Sequence, residues 1–233
     1  MMTALFILGG IALIIYVIAN SASGGTDAGT YNFEETDASL TPYAVVMDVE
    51  TTGLINWDGA PTKAKLEEWD EGYPRIVQIA WITISREYKA VQRKAYVIKQ
   101  SKPIPKDSIA IHGITDARAK NEGVDLKEVL MEFRRDVEEC EYYVGHNVQF
   151  DKYVIEAECL RCKLAKPFVR KGKYDTMVMG KSLMGRKFFK LEDLARSSMP
   201  KEQFEELTFH DAEEDVYVTA ALFCALHKHD IKY

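Results

Sequence analysis

The run Val45–Val46–Met47 reads as a buried strand, and it ends in two acids, Asp48 and Glu50. Successive side chains of a strand point to opposite faces, so carboxylates at i and i+2 project to the same side. Two like charges held together repel, and burial makes the repulsion worse. A divalent cation removes that cost and accounts for the spacing. Two later stretches offer further ligands. In "GHNVQFD" (145–151) a strand ends and Asp151 falls in the first turn of a helix. In "HDAEEDVYVTAALF" (210–223) His210 and Asp215 flank the start of the last helix. Taken singly, acids at helix starts are explained by the helix dipole.

The elements that must position these residues follow from periodicity. Residues 43–50, 75–85 and 91–99 read as strands rich in β-branched and aromatic residues, the last two as an antiparallel hairpin. A polar insertion, 55–74, separates the first strand from the second. Apolar residues recur at helical spacing over 124–139, from Val124 and Leu126 to Phe133 and Val137, and again over 150–164. "YYVGHN" (142–147) is a short buried strand between them. Shorter helices are expected over 175–184 and 191–196, and a last one over 211–227. Strands first, then helices alternating with strand, predict an α/β sheet of mixed direction flanked by helices.

Together the acidic stretches form an ordered pattern: Asp-x-Glu-Thr-x-Gly, then His-Asn-x-x-Phe-Asp, then His-x-x-x-x-Asp. It resembles the DEDDh branch of the DnaQ-like proofreading exonucleases, in the ribonuclease-H-like superfamily. The likeness runs over 43–226 and includes "IVQIAWI" (76–82), "IHGIT" (111–115) and "YDTMVMGKSL" (174–183). The resemblance implies a ribonuclease-H-like fold and a metal-dependent exonuclease that removes nucleoside 5′-monophosphates from a 3′ end. It implies that Asp48, Glu50, Asp151 and Asp215 hold two Mg²⁺ or Mn²⁺ ions, with Asp48 between them and Glu50 and Asp215 on the side of the attacking water. Two ions about 3.5–4 Å apart serve both oxygens of an in-line phosphoryl displacement. His210 is implied as general base, since an imidazole accepts a proton at neutral pH. Thr51, Thr52, Gly53 and Leu54 are implied contacts to the terminal nucleotide. His112, Asn147 and Phe150 are further candidate substrate residues, although an aromatic beside a helix start also suits a core. DNA, single-stranded above all, is expected over RNA. An RNA-trimming exoribonuclease and a nucleic-acid-binding module without hydrolysis are the alternatives.

The chain has 233 residues, a formal net charge of −6 and 47% hydrophobic residues, enough for one ordinary domain. Such an acidic protein needs a local basic surface to approach a polyanion, and residues 161–190 hold ten Lys or Arg and a single acid. Cys159 and Cys162 form a CxxC with no second pair to complete a zinc site. Residues 1–20 are apolar and uncharged and predict an N-terminal hydrophobic helix that anchors the chain in a membrane, with the catalytic domain on the cytoplasmic side. A cleaved signal peptide and secretion is the competing reading. Residues 21–42, small, polar and acidic, are expected to be a flexible linker to an exonuclease domain over 43–233.

Overall fold

The computed structural model describes residues 13–18, 26–56, 58–184 and 190–228; of 13–18, 26–30 and 182–184 it describes the backbone. Strands β1 (Leu13–Ile18) and β2 (Thr26–Tyr31) form a two-stranded antiparallel ribbon. Then come β3 (Ala44–Thr51), α1 (Lys63–Glu68), β4 (Ile76–Ile84) and β5 (Ala90–Val97). Helices α2 (Lys106–His112), α3 (Asp116–Asn121) and α4 (Leu126–Glu139) follow, then β6 (Tyr142–Gly145), α5 (Val148–Arg161) and β7 (Gly172–Asp175). The described chain closes with α6 (Thr176–Met184), α7 (Leu191–Ser198), α8 (Lys201–Glu205) and α9 (Ala212–Lys228).

The main sheet has five strands in the order β5-β4-β3-β6-β7. The three strands expected first form an antiparallel meander, and β6 and β7 add to it in parallel. This mixed sheet between helices is the predicted architecture. Its central strand is buried on both faces. Ala44 and Val46 pack with Val216, Ala220 and Phe223 of α9, whereas Val45, Met47 and Val49 pack with Phe133 of α4 and Val154 of α5. Asp48 and Glu50 continue the row of Ala44 and Val46, so the pleat carries both acids towards the start of α9.

Three local expectations are corrected. The apolar helix over 1–20 does not form where the chain is described, because Leu13–Ile18 is a strand paired with Thr26–Tyr31. "LIIYVI" is rich in β-branched residues and tyrosine, which favour a pleated surface. Residues 1–12 and 19–25 lie outside the described residues, and among the described residues no helix is long and apolar enough to cross a membrane. The stretch read as part of a flexible linker is seated on the domain from Tyr31 onwards. Phe33 is fully buried, edge-on to Tyr217, and its N–H donates to the Tyr217 hydroxyl at 3.1 Å. Glu34 pairs with Arg93 at 2.8 Å, and the Asp37 N–H donates to the Ala90 carbonyl. Two aromatics in an acidic, small-residue stretch outweigh its composition. Finally, the insertion 55–74 contains α1 and a short 3₁₀ turn at Asp70–Gly72, and α2, α3, α8 and β7 were not anticipated. All are short, and short polar helices leave little periodicity to read.

Candidate active site

The site lies where β3 ends, beside the starts of α5 and α9. A register shift between Glu50 and Thr51 ends the regular pairing of β3 with β4 there, and the chain turns away through Thr51–Leu54. Thr51 Oγ1 donates to the Gly53 carbonyl at 2.6 Å. Thr52 is tied twice to Arg75: its N–H donates to the Arg75 carbonyl, and its Oγ1 accepts from the Arg75 N–H, both at 2.9 Å. Leu54 is left 75% exposed, a large apolar side chain facing solvent next to the acids.

Asp151 arrives from the first turn of α5. Its Oδ1 accepts the Val49 N–H at 3.2 Å, which places its carboxylate against β3 between Asp48 and Glu50. The approach depends on Asn147, whose φ of 63° turns the chain sharply into α5. Asp175 holds that turn. It accepts from the N–H of Asn147 at 3.0 Å and Val148 at 3.2 Å, and from Met177 N–H at 3.0 Å, so one carboxylate serves the starts of both α5 and α6.

Asp215 arrives from the first turn of α9, and its Oδ2 accepts the His210 N–H at 3.3 Å. His210 is exposed, with a left-handed φ of 67°, at the lip of the site. Gln78, buried on β4 opposite Glu50, fixes the approach to α9. Its amide donates to the Asp211 carboxylate at 3.2 and 3.3 Å and accepts from Ala212 N–H at 3.1 Å. Ligand atoms of Glu50, His210 and Asp215 lie within 4.8 Å of one another.

The electrostatics fit a cation. Burial, then the neighbouring carboxylates Asp151, Asp215, Glu50 and Asp211, push Asp48 well above the usual carboxylate range. Burial and then Asp211 raise Glu50 to about 7. Burial lifts Asp151 and Asp215 each to about 8, against the lowering effect of their own backbone hydrogen bonds. The Oδ1 atom of Asp215 is buried with no hydrogen-bond partner among the described residues. A buried carboxylate oxygen without a partner, in a cluster of acids, suits hard divalent ions, which take oxygen ligands.

The structure therefore brings together Asp48, Glu50, Asp151, Asp215 and His210. His112 joins them: it is buried beside the Thr51 backbone and within electrostatic range of His210. Its Nδ1 accepts from Ile114 N–H at 3.0 Å, and its buried Nε2 has no partner among the described residues. Asn147 is exposed at the turn into α5. Phe150 is half-buried against the core between the sheet, α4 and α5, so packing takes a share of it. Sequence reasoning missed Gln78 and Asp175. Both lie inside the supporting stretches 76–82 and 174–183, which is the signal that pointed to them.

Three residues of the basic stretch are engaged within the protein. Arg161 is bound to Asp70 and to the carbonyls of Asp70 and Tyr73, and Lys166 to Glu156 and the Pro61 carbonyl. Lys171 caps the carbonyls of Glu138 and Cys140 at the far end of β6 from the acids. Arg186 and Lys187 lie outside the described residues.

A family model described as exonuclease matches residues 45–223. No curated protein matches the chain. Among solved structures, exonuclease X in complex with 5′-overhanging duplex DNA is 21% identical with a TM-score of 0.55, over 82% of this chain and 94% of that one. An exonuclease I structure is 19% identical with a TM-score of 0.62, over 81% of this chain and 42% of that one. Escherichia coli exonuclease I with a dA16 oligonucleotide is 19% identical with a TM-score of 0.59, over 80% and 42%. The chain thus spans nearly all of the first and about two-fifths of the others; the likeness is one of fold.

Proposed function

The chain belongs to the exonuclease family, and on that premise we propose that it is a divalent-metal-dependent 3′→5′ exonuclease acting on DNA, single-stranded above all. The observation that carries the reading is the convergence of Asp48, Glu50, Asp151 and Asp215 from three separate elements beside His210, with one buried Asp215 oxygen lacking a partner among the described residues. The DNA complexes among the similar folds support the choice of substrate.

Asp48, Glu50, Asp151 and Asp215 would hold two ions, Mg²⁺ or Mn²⁺. When bound, such ions neutralise charge on the scissile phosphate, activate water and stabilise the departing oxygen. The protein's own groups do the rest. His210, exposed at the lip, takes the proton of the attacking water. The phosphorus–oxygen bond to the upstream sugar breaks, leaving a 3′-hydroxyl on the strand and a nucleoside 5′-monophosphate as product. Thr51–Leu54 hold the terminal nucleotide, with Leu54 against its base. His112, beside the Thr51 backbone, would help to hold the terminal nucleotide.

Direction is tested with one oligonucleotide labelled at either end. A 3′ label leaves at once as mononucleotide, whereas a 5′ label shortens through a ladder; the reverse result overturns the reading. Matched DNA and RNA strands test the sugar preference.

A further inference from the structure

A cavity of about 400 Å³ adjoins the nucleotide-holding loop. Thr52, Arg75, Lys99, Gln100 and Lys102 are among its lining residues. Resting on the exonuclease reading, we infer that this cavity is an anchoring subsite for the phosphodiester backbone upstream of the scissile bond, with Arg75 as its principal phosphate ligand.

The Glu158 side chain is fully buried on α5. A buried carboxylate is costly unless its oxygens are satisfied. Glu158 Oε1 accepts from Arg75 Nε at 2.7 Å and from Ile76 N–H at 3.2 Å, and Oε2 lies 3.4 Å from an Arg161 terminal nitrogen. The arrangement uses one edge of the Arg75 guanidinium and leaves its terminal nitrogens without a partner among the described residues. The side chain remains 43% exposed. A guanidinium fixed at Nε by a buried acid presents a rigid fork that matches phosphate oxygens.

The other charges of the cavity leave it open to an anion. Asp70 is paired with Arg161 at 2.7 Å, and Asp125 accepts from the Lys127 and Glu128 N–H groups as the cap of α4. Glu71 meets Lys102 at 3.4 Å. The Lys99 ammonium has no partner among the described residues. The acids are thus engaged, while Arg75 and Lys99 keep donors to offer.

Asp151 and Glu158 are seven residues apart on α5, two turns on the same face and about 10 Å along the axis, so Glu158 and the Arg75 that it holds lie further along the helix that brings Asp151 to the acids. The direct backbone link of Thr52 to Arg75 ties this subsite to the loop that holds the terminal nucleotide.

The test compares substrates of different reach, using wild type, Arg75→Ala and Arg75→Lys in full-length protein with Mg²⁺. The substrates are the p-nitrophenyl ester of thymidine 5′-monophosphate, a dinucleotide and a single-stranded 12-mer. The expected result for Arg75→Ala is a rise in KM of about tenfold on the 12-mer, a change of less than about twofold on the ester, and a salt slope of binding lower by about one. Arg75→Lys recovers part of the 12-mer affinity. Equal losses on all three substrates with lowered thermal stability assign Arg75 a folding role and overturn the proposal, as does an unchanged KM on the 12-mer. A wild type that cleaves none of the three overturns the exonuclease reading instead.

Discussion

The Oδ1 atom of Asp151 accepts the backbone N–H of Val49 at 3.2 Å, across 102 positions of sequence. One hydrogen bond thus seats the first turn of α5 on the strand that carries Asp48 and Glu50. It also leaves the second Asp151 oxygen for the space that those acids share. The turn itself is held from behind by Asp175, so the two aspartates act in series: one shapes the helix start, the other reaches the site.

Asp175 supplies an acceptor to three N–H groups at two helix starts. Replacing it by Ala strands those donors, at a cost of about 2–3 kcal/mol. The melting temperature of Asp175→Ala is expected to fall by about 5–10 °C, with a loss of kcat beyond what the melting curve explains. A variant with normal stability and normal kcat would show that α5 is positioned by packing alone.

Among the described residues the His210 ring makes no hydrogen bond to a carboxylate, and its N–H donates to Asp215. His210→Ala should therefore keep divalent-ion binding while losing about 10²–10⁴ in kcat. Isothermal titration with Mn²⁺ beside single-turnover hydrolysis separates the two effects. Weakened ion binding in step with activity would make His210 a ligand rather than a base.

The metal-free protein should lose stability as pH rises. Glu50 at about 7, and Asp151 and Asp215 at about 8, lie above their ordinary values of 4.5 and 3.8. Between those limits the folded state keeps protons that the unfolded chain has released, so unfolding becomes easier with rising pH. In EDTA the melting temperature should fall by several degrees from about pH 4 to about pH 8. Added Mg²⁺ should raise it most at the upper end, where the carboxylates are free to bind. A flat profile in EDTA would show that the acids do not crowd one another as the geometry requires.

Phe33 pins the segment before β3 to α9. Phe33→Ala is expected to cost about 3–4 kcal/mol, with kcat per folded molecule preserved. Chemical denaturation and active-site titration check both halves. A loss below about 1 kcal/mol would return this segment to the status of a tether.

The clustered acids were legible because two regularities met. The period of two along β3 put Asp48 and Glu50 on one face, and the order of the three motifs tied them to Asp151, His210 and Asp215. Gln78 and Asp175 were not legible as positioning groups, since their work lies in hydrogen bonds to backbone that only the folded chain brings near. Leu13–Ile18 misled for a different reason. A continuous apolar run has no polar face to reveal its period, and length alone favoured helix over the strand that the β-branched residues form. Arg161, Lys166 and Lys171 misled through count: clustered in sequence, they are engaged in holding separate loops and helix ends.

The central claim is that Asp48, Glu50, Asp151 and Asp215 form one metal-dependent nuclease site. The most direct measurement is release of labelled nucleoside 5′-monophosphate from the 3′ end of single-stranded DNA, for wild type with Mg²⁺, wild type with EDTA, and Asp48→Asn with Mg²⁺. Rapid release is expected in the first case, none in the second, and a loss of at least about 100-fold in the third. Hydrolysis that persists in EDTA, or that survives in folded Asp48→Asn at the wild-type rate, would contradict it.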